Sequence, residues 1–218
     1  MRPAIVIPAL NEAATIADVV RGVMPFGQAI VVNDGSTDAT GALAAGAGAV
    51  VISHGTAAGY DGALRAGFAE AAARGHDVLV SFDADGQFDP ADLGRILEPI
   101  ARQEARLVLG VRRSMPRWSE GLFGLYTRLR FGVPDILCGV KAICLDVYDR
   151  HKAALADASI NTGLALAALR AGTPFALVPL AVRPRAGQPR FGGTWRANAR
   201  ICGALLRAVR RDLAPRAG

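Results

Sequence analysis

The stretch VLVSFDADGQFDP, residues 78–90, decides the fold of this 218-residue chain. It begins as a short apolar run, VLVSF at 78–82, and then changes abruptly into an acidic cluster. A continuous apolar run of this length is typical of a strand that is buried on both faces. Asp89 before Pro90 is a start signal for a helix. The stretch therefore predicts a buried strand, a polar loop at its carboxyl end and a helix.

The same alternation of apolar run and amphipathic stretch recurs on both sides of this segment. Apolar, β-branched runs predict further buried parallel strands at 4–7, 29–32, 49–52 and 107–110. Helical spacing predicts helices at 12–23, 37–46, 62–74 and 90–102, with start signals at Asn11, at Ser36 or Thr37, and at Asp89. Strands that alternate with helices define an α/β protein, so we expect a doubly wound, mostly parallel sheet with flanking helices.

Regularity falls after residue 110, although no linker or internal repeat divides the chain. A basic segment occupies 111–130, a mixed strand and helix region follows at 135–172, and a loop rich in Pro and Arg lies at 183–190. A last helix is predicted at 194–213. We therefore expect one domain over residues 1–218.

Charge is distributed unevenly, although the formal net charge is only +6. Residues 1–105 contain 6 basic and 13 acidic residues, whereas residues 106–218 contain 19 and 6. Unless it is simply a solvated basic face, the second half is expected to meet an anionic partner such as phosphate, nucleic acid or a membrane surface.

Cysteine usage and hydropathy exclude several classes of protein. None of Cys138, Cys144 and Cys202 lies in a CxxC pair, so neither a disulfide framework nor a zinc site is expected. The chain reaches Asn11 and Glu12 after one short apolar run, and no later run approaches the roughly 18 apolar residues of a spanning helix. We expect a soluble or peripheral protein of a reducing compartment, without a signal peptide.

Polar clusters follow three of the predicted strands, at Pro8–Glu12, Asn33–Asp38 and Asp83–Gln87. Ligands of open α/β sheets bind outside the carboxyl ends of the strands. We therefore expect the three clusters to line one crevice.

Asp83 and Asp85 are the strongest candidates for metal ligation. Residues at i and i+2 of an extended chain project to the same side, and Gly86 permits a turn after them. Mg²⁺ or Mn²⁺ prefers oxygen ligands, takes one or two carboxylates and leaves positions for substrate phosphates, and Gln87 offers another oxygen. The pattern predicts a divalent-metal site that holds a nucleotide diphosphate.

Two other interpretations of this motif are weaker. An EF-hand calcium loop is excluded, because Phe88 and Gly94 stand where it needs Gly and Glu. An ordinary turn and helix cap explains Asp89 well, but it leaves two neighbouring carboxylates repelling one another without a cation.

The cluster around Asp34 is compatible with an ordinary capped loop or with a nucleoside site, and its spacing alone does not choose between them. Asp34 could accept hydrogen bonds from a base or ribose, and the backbone of Pro8 and Ala9 could line the base pocket. Glu12 is expected to begin the first helix, where an acid suits the helix dipole, or to reach the ribose.

With these clusters in this order, the sequence resembles family 2 glycosyltransferases, in particular the dolichyl- or polyprenyl-phosphate sugar synthase branch. The resemblance covers most of the chain. It is carried by IPALNEAATI (7–16), VVNDGSTDAT (31–40), GYDGALRAGFAEA (59–71), DADGQFDP (83–90), GVRR (110–113), DILCGVKA (135–142) and VPLAVRPRAGQPRFGG (178–193).

The resemblance implies a GT-A fold and an inverting transfer from a UDP- or GDP-linked sugar, with Mg²⁺ or Mn²⁺ as cofactor. Residues 1–110 are then the nucleotide-sugar-binding half, 111–193 the acceptor-binding half and 194–213 a basic amphipathic helix. The expected nucleotide-sugar site comprises Pro8, Ala9, Asn11, Glu12, Asp34, Gly35, Ser36, Gly59, Asp83, Ala84 and Asp85. The expected metal ligands are Asp83, Asp85 and Gln87.

The acceptor half decides which molecule receives the sugar. A polyprenyl phosphate is already an anion and needs no general base, but arginines must position it against the donor phosphates. Arg112, Arg113 and Arg185 are the candidates. A hydroxyl acceptor of a cell-surface glycan would instead need a carboxylate base, for which Asp135 is the nearest match. Asp85, Arg112 and Asp135 are thus the candidate catalytic residues.

The sequence differs from the dolichyl- or polyprenyl-phosphate sugar synthase branch in ways that leave other functions open. The stretch between GVRR and DILCG is short, 21 residues at 114–134, and Gly163 stands where an acidic residue is often found. A non-catalytic nucleotide-sugar-binding protein therefore stays an alternative, against which the intact metal motif argues. Nucleotidyltransferases and dinucleotide-binding oxidoreductases are disfavoured, because PALNEA is neither a Gly-rich loop with Lys or Arg nor GxGxxG.

The predicted last helix carries an apolar stripe and many arginines. The stripe runs from Trp195 through Cys202 to Leu213, and the arginines crowd the other positions. Such a helix lies on an anionic leaflet, or packs on the sheet with its arginines in water. The protein is expected in the cytoplasm, on the inner face of the membrane in the first case, and nucleic acid is not an expected partner.

Overall fold

The computed structural model of the protein describes residues 1–113, 115, 117–155, 159–184 and 194–213. Its strands are β1 Pro3–Ala9, β2 Gln28–Asn33, β3 Val50–Ser53, β4 Val78–Ser81, β5 Leu107–Arg112, β6 Lys141–Cys144 and β7 Phe175–Leu180. Its helices are α1 Ile16–Val23, α2 Thr40–Gly46, α3 Gly59–Ala73, α4 Leu93–Ala101, α5 Trp118–Phe131, α6 Leu145–His151, α7 Ile160–Arg170 and α8 Thr194–Leu213.

Within these ranges the strands form a seven-stranded sheet in the order β3-β2-β1-β4-β6-β5-β7. β1 pairs in parallel with β2 and β4, and β2 pairs in parallel with β3. β6 is antiparallel to both β4 and β5, and β7 is parallel to β5. The predicted α/β fold with a mostly parallel sheet and flanking helices is confirmed. β5 runs in the same direction as β4 but is separated from it by β6.

The apolar runs bury as expected where a strand has neighbours on both sides. β1, β2 and β4 are buried along almost their whole length. β3 confirms the parallel strand predicted at 49–52, but the prediction that this strand is buried is wrong, because its valines and isoleucine are only half-buried and its Ser53 is exposed. It has one neighbouring strand, β2, and solvent reaches its free edge.

Two predicted helix starts are wrong, because the residues concerned belong to the polar loops. α1 begins at Ile16 and α2 at Thr40. Asn11 has a φ of 51° and accepts a 2.8 Å hydrogen bond from the backbone N–H of Thr37. The loops after β1 and β2 are thereby joined before either helix begins.

Other helix boundaries agree with the sequence patterns. Asp89 caps the 3-10 turn Pro90–Asp92 by accepting from the backbone N–H of Ala91 at 3.0 Å, and α4 follows directly. The last helix spans the predicted 194–213. α3 begins at Gly59, three residues before the predicted start.

α5 and α8 form a pair of parallel helices beyond β5. Ser119 Oγ donates to Asn198 Oδ1 at 2.6 Å near the amino ends of the two helices. Tyr126 donates to Asp212 near their carboxyl ends. The last helix was expected either to lie on an anionic leaflet or to pack on the sheet. In the structure, one side of α8 packs against protein, mainly against α5. None of the helices among the described residues is long and apolar enough to cross a membrane.

Candidate active site

The candidate site lies where the strand order of the sheet reverses. The chain passes from β1 outward to β2 and β3 and then returns to β4 on the other side of β1. The carboxyl ends of β1 and β4 therefore meet at a topological switch point, the usual ligand position in open α/β sheets. Asp83 and Asp85 follow β4 there, and Pro8 and Ala9 end β1.

Side chains join the three polar loops at this edge. Ser36 Oγ accepts from the backbone N–H of Asn11 at 3.0 Å, and Thr40 Oγ1 accepts from the N–H of the buried Glu12 at 2.8 Å. Thr15 Oγ1 donates to the carbonyl of Ala84 at 2.7 Å. Glu12 lies in the turn before α1 and does not begin that helix.

The acidic loop after β4 is a tight turn built around Asp85. This carboxylate is buried, and its Oδ1 accepts from the backbone N–H of Gln87 at 3.1 Å. Gly86 between them has a φ of 73°, a left-handed conformation that glycine adopts without strain. The turn holds the two aspartates beside one another.

Asp83 is the electrostatically strained member of the pair. Burial and the negative charge of Asp85 raise its pKa from 3.8 to about 6, although Lys141 and Arg112 act in the opposite direction. Lys141 itself is buried at the start of β6, and burial lowers its pKa to about 8. A cation bound between the carboxylates would relieve the repulsion that raises the pKa of Asp83.

Neighbouring elements fix the orientation of Asp83. Tyr60 Oη, at the start of α3, donates to Asp83 Oδ1 at 3.5 Å. Asn161 of α7 donates from Nδ2 to Tyr60 Oη at 3.3 Å and to the Gly139 carbonyl at 3.0 Å. A Cβ atom on Gly139 would lie 2.3 Å from Asp83 Oδ2, so only glycine fits against this carboxylate.

The donor set fits a hard divalent cation that shares its coordination with a substrate. Asp83 and Asp85 supply two carboxylates, and the described residues contain no group of three or more His, Cys, Asp or Glu side chains that could hold a metal. Mg²⁺ and Mn²⁺ sites of this kind complete their shell with phosphate oxygens and water.

Gln87, the third predicted ligand, is tied to the segment after β7. Its carbonyl accepts from the backbone N–H of Arg183 at 2.8 Å, and its side-chain Nε2 donates to the Arg183 carbonyl at 3.4 Å. With Nε2 so engaged, Oε1 is the atom that Gln87 could offer to a metal.

Asp34 is held by the loop that leads into α3. Its Oδ1 accepts from the backbone N–H of Ala58 and its Oδ2 from that of Gly59, each at 2.8 Å. His54 Nδ1 lies 2.8 Å from Oδ1. Asp34 thus brings Gly59 to the edge of the crevice. His54 thereby helps to orient this carboxylate.

Gly35 explains how close the two loops come. It has a φ of 77°, and a Cβ atom there would lie 3.0 Å from the backbone nitrogen of Ala57. Any larger residue would separate the loop after β2 from the loop after β3.

Arg112, at the end of β5, is the centre of a buried ion-pair cluster. Its Nε donates to Asp135 Oδ2 at 2.7 Å and its Nη2 to Asp135 Oδ1 at 3.0 Å. Nη2 also donates to Glu120 Oε2 at 3.0 Å, and Arg117 pairs with the other oxygen of Glu120 at 2.8 Å. Arg112 holds the pKa of Asp135 below its usual value, because the guanidinium favours the ionised carboxylate.

The three predicted acceptor arginines are in different situations. Arg112 is already neutralised by Asp135 and Glu120. Arg113 is exposed, and within the described parts of the chain it has no ion-pair partner. Arg185 lies outside the described residues.

Sequence patterns missed Tyr60, Lys141 and Asn161, which surround Asp83. Tyr60 and Lys141 lie within the quoted segments GYDG and DILCGVKA, but their spacing does not show that they meet Asp83. Asn161 reaches the site from α7. Its Oδ1 accepts a hydrogen bond of 3.4 Å from Ser81 Oγ, although the two residues are 80 positions apart in the sequence.

A cavity of about 590 Å³ lies beside the site, between α1 and the loop that precedes α4. Its lining includes Val19, Phe26 and Phe88, and it touches the acidic turn at Gly86 without including Asp83, Asp85 or Asp34. We propose that the chemistry takes place over the strand ends, where the carboxylates are, and not in this cavity.

A mostly parallel sheet with an acidic turn at its switch point is the GT-A arrangement of nucleotide-sugar transferases. A family model described as glycosyl transferase family 2 matches residues 4–119. The chain belongs to this family and is a glycosyltransferase, as its resemblance to the family implied.

Its relatives point to the branch that the sequence resembles. An undecaprenyl-phosphate mannosyltransferase from Micrococcus luteus is 35% identical over 67% of this chain and 68% of its own length. A polyprenol monophosphomannose synthase from Mycolicibacterium smegmatis is 34% identical over 68% of this chain and 64% of its own length. The chain thus spans about two thirds of the length of these relatives.

A solved structure extends the similarity over almost the whole chain. Glucosyl-3-phosphoglycerate synthase from Mycobacterium tuberculosis, in complex with Mn²⁺, uridine diphosphate and glucosyl-3-phosphoglycerate, has a TM-score of 0.75 and 26% identity. The match covers 95% of this chain and 79% of that one. The predicted GT-A fold is confirmed.

Proposed function

We propose that this glycosyltransferase transfers a sugar, with inversion, from a nucleotide-diphosphate sugar to a polyprenyl phosphate, and that it requires Mg²⁺ or Mn²⁺. The observation that carries the proposal is the pair Asp83 and Asp85 at the switch point, with the pKa of Asp83 raised by its neighbour. Such a pair is arranged to share a cation with substrate phosphates. The mycobacterial neighbour was crystallised with Mn²⁺ and uridine diphosphate, which supports the same donor chemistry here.

On the donor side, the protein's task is to hold a nucleotide diphosphate over the strand ends. The backbone at Pro8 and Ala9 would line the base pocket, and Asp34 with Gly59 would face the nucleoside. Asp83 and Asp85 would bind the divalent cation, which neutralises charge on the departing diphosphate. Tyr60 fixes Asp83 in advance, so that little reorganisation is needed on binding. Uridine and guanosine donors both fit this description.

On the acceptor side, the Arg112 cluster favours an acceptor that needs no base. Asp135 is the nearest candidate base, but both of its oxygens are bound by Arg112 and its pKa is lowered. A carboxylate stabilised in its ionised form is a weak proton acceptor. A phosphate oxygen is already anionic, and the exposed Arg113 beside the cluster could pair with it. The names of the two relatives above support a polyprenyl-phosphate acceptor.

A lipid acceptor implies that the protein works at the inner face of the membrane. The excess of basic residues in residues 106–218 is consistent with this position, since that leaflet is anionic.

Transfer of a labelled sugar tests the proposal. UDP- and GDP-linked sugars are incubated with Mn²⁺ and polyprenyl phosphate in vesicles, and the lipid fraction is counted. We expect one donor to label the lipid, and Arg113→Ala to raise the KM for the lipid about tenfold. Arg102→Ala is the matched control, because Arg102 is an exposed arginine at the end of α4 whose ion pair among the described residues is with Glu98 of the same helix. No labelled lipid with any competent donor, together with transfer to a glycan hydroxyl that depends on Asp135, would contradict the lipid acceptor.

A further inference from the structure

The outward face of α5 is apolar, whereas the outward face of a helix on a water-exposed surface normally carries polar side chains. Its outward face carries Trp118, Leu122, Leu125 and Leu129, with relative exposures of 60%, 47%, 55% and 80%. Their spacing of four, three and four places them in one stripe along the helix. The buried face instead contains Ser119, Glu120, Phe123, Gly124 and Thr127.

α8 continues this apolar surface beside α5. Trp195 is 85% exposed and Leu206 is 57% exposed, and they share a helical stripe with the exposed Ala199. The face of α8 that is held by protein is a different one, which includes Asn198 and Ala208. Within the stripe recognised in the sequence, Trp195, Ala199 and Leu206 therefore point outward, whereas Leu205 packs against the core. We call the outward stripes of α5 and α8 together the helical platform.

The charges on these two helices are almost all positive. Between them they contain two acidic residues, Glu120 and Asp212, and both are bound by arginines. The exposed side chains beside the stripes are basic: Arg128, Arg130, Arg200, Arg207, Arg210 and Arg211. An apolar stripe flanked by arginines is the pattern of a helix that lies in the interface of an anionic bilayer.

We propose that the helical platform docks the enzyme on an anionic lipid bilayer, with both of its tryptophans entering the interface. A second copy of the chain is a poorer occupant, because a symmetric contact would bring the arginines of one copy against those of the other. Anionic lipid headgroups neutralise these arginines, and acyl chains accept the leucines. Tryptophan suits the boundary between the two.

The platform is connected to the site by its amino end, and this part of the inference rests on the proposed function. Glu120, two residues after Trp118, accepts a hydrogen bond from Arg112, the centre of the Arg112 cluster. Because α5 and α8 run parallel, Trp118 and Trp195 lie toward this same end of the platform. A bilayer docked here brings lipid headgroups toward Arg112 and Arg113.

Vesicle binding without substrates tests the inference. The protein is mixed with phosphatidylcholine vesicles containing 0 or about 30% phosphatidylglycerol, and binding is followed by co-sedimentation and tryptophan fluorescence. The chain has only 2 tryptophans, and both belong to the platform, so their emission reports its environment directly. We expect a blue shift and strong binding with the anionic vesicles, and binding at least about tenfold weaker with the neutral vesicles or in high salt.

Variants localise the contact. The double substitution Leu125→Ser and Leu129→Ser removes exposed apolar groups only, and we expect it to weaken vesicle binding about tenfold or more. The control is Leu43→Ser, an exposed leucine of α2 (39%), which should bind like the parent. Equal binding by the double variant and the parent would overturn the inference. A blue shift of the tryptophan emission that occurs without vesicles, and that increases as light scattering shows the protein forming dimers, would also overturn the inference.

The outcomes separate this inference from the proposed function. The vesicles contain neither polyprenyl phosphate nor donor, so their binding is independent of catalysis. Vesicle binding without sugar transfer would sink only the proposed function, whereas transfer to detergent-dispersed lipid without vesicle binding would sink only the docking surface.

Discussion

At the scale of single residues, the ionised carboxylate of Asp83 suits a cation site but lowers the stability of the metal-free fold. Its pKa is raised from 3.8 to about 6, so the folded protein binds a proton there more tightly than the unfolded chain does. The metal-free fold therefore loses stability as the pH rises from about 4 to about 6 and does not regain it above. This cost arises because two carboxylates are held close together without a cation.

The substitution Asp83→Asn is expected to separate the two effects. Without metal at neutral pH, the variant should be more stable than the parent by on the order of 1–2 kcal/mol, because the disfavoured charge is gone. Its metal-dependent transfer should fall by about a hundredfold or more. Urea unfolding and activity assays measure these changes, and a variant less stable than the parent would show that the charge of Asp83 is not strained.

Metal affinity should also depend on the protonation of Asp83. Protons compete with the cation for this carboxylate, so the apparent affinity for Mn²⁺ should rise with pH until it levels off above about 6. Calorimetric titration with Mn²⁺ across this range measures the affinity. An affinity that is unchanged between about pH 5 and 7 would contradict the assignment of Asp83 as a ligand.

Gly139 provides a steric test at the same carboxylate. In Gly139→Ala the new Cβ would lie 2.3 Å from Asp83 Oδ2, so the carboxylate must turn away. We expect a folded protein with about tenfold or weaker Mn²⁺ affinity. Gly121→Ala is the control, because nothing lies within 4 Å of a Cβ at that position of α5. Equal Mn²⁺ affinity in both variants would mean that Asp83 does not need its present position.

At the scale of secondary-structure elements, the Arg112 cluster joins β5, α5 and the segment before β6. Asp135 is almost fully buried, and removing it would leave the guanidinium of Arg112 only partly compensated. We expect Asp135→Ala to lower the free energy of unfolding by about 3–5 kcal/mol. Asp146→Ala, which breaks an exposed pair with Arg106, should cost less than about 1 kcal/mol. If Asp135→Ala kept its stability but lost activity only toward hydroxyl acceptors, Asp135 would be a base after all.

The elements show what local patterns can and cannot predict. Apolar runs located β1, β2, β4 and β5, because burial on both faces leaves a direct trace in composition. β6 is only four residues long, Lys141–Cys144, and its first residue is a lysine, so no run marks it. Asn11 and Ser36 resembled helix caps because the same side chains cap helices and close loops. Only the tertiary contact with Thr37 shows which task Asn11 performs.

At the scale of the whole molecule, the division of charge coincides with the proposed division into a donor half and an acceptor half. The half that carries the acidic turn has a net charge of −7, from 6 basic and 13 acidic residues, and the half that carries α5 and α8 has +13, from 19 and 6. The switch point was foreseeable from the order of strands and polar clusters. The contacts of Tyr60 and Asn161 with Asp83 were not, since they depend on how α3 and α7 lie against the sheet.

The proposed function depends on one interaction above all: Asp83 and Asp85 hold a divalent metal through which the nucleotide-sugar donor binds. Calorimetric titration of UDP- and GDP-sugars with and without Mn²⁺, for the parent and for Asp85→Ala, tests it most directly. We expect one donor to bind in the presence of Mn²⁺, and this binding to weaken by about a hundredfold or more without the metal or in the folded variant. Donor binding that needs no metal and is unchanged in Asp85→Ala would contradict the claim.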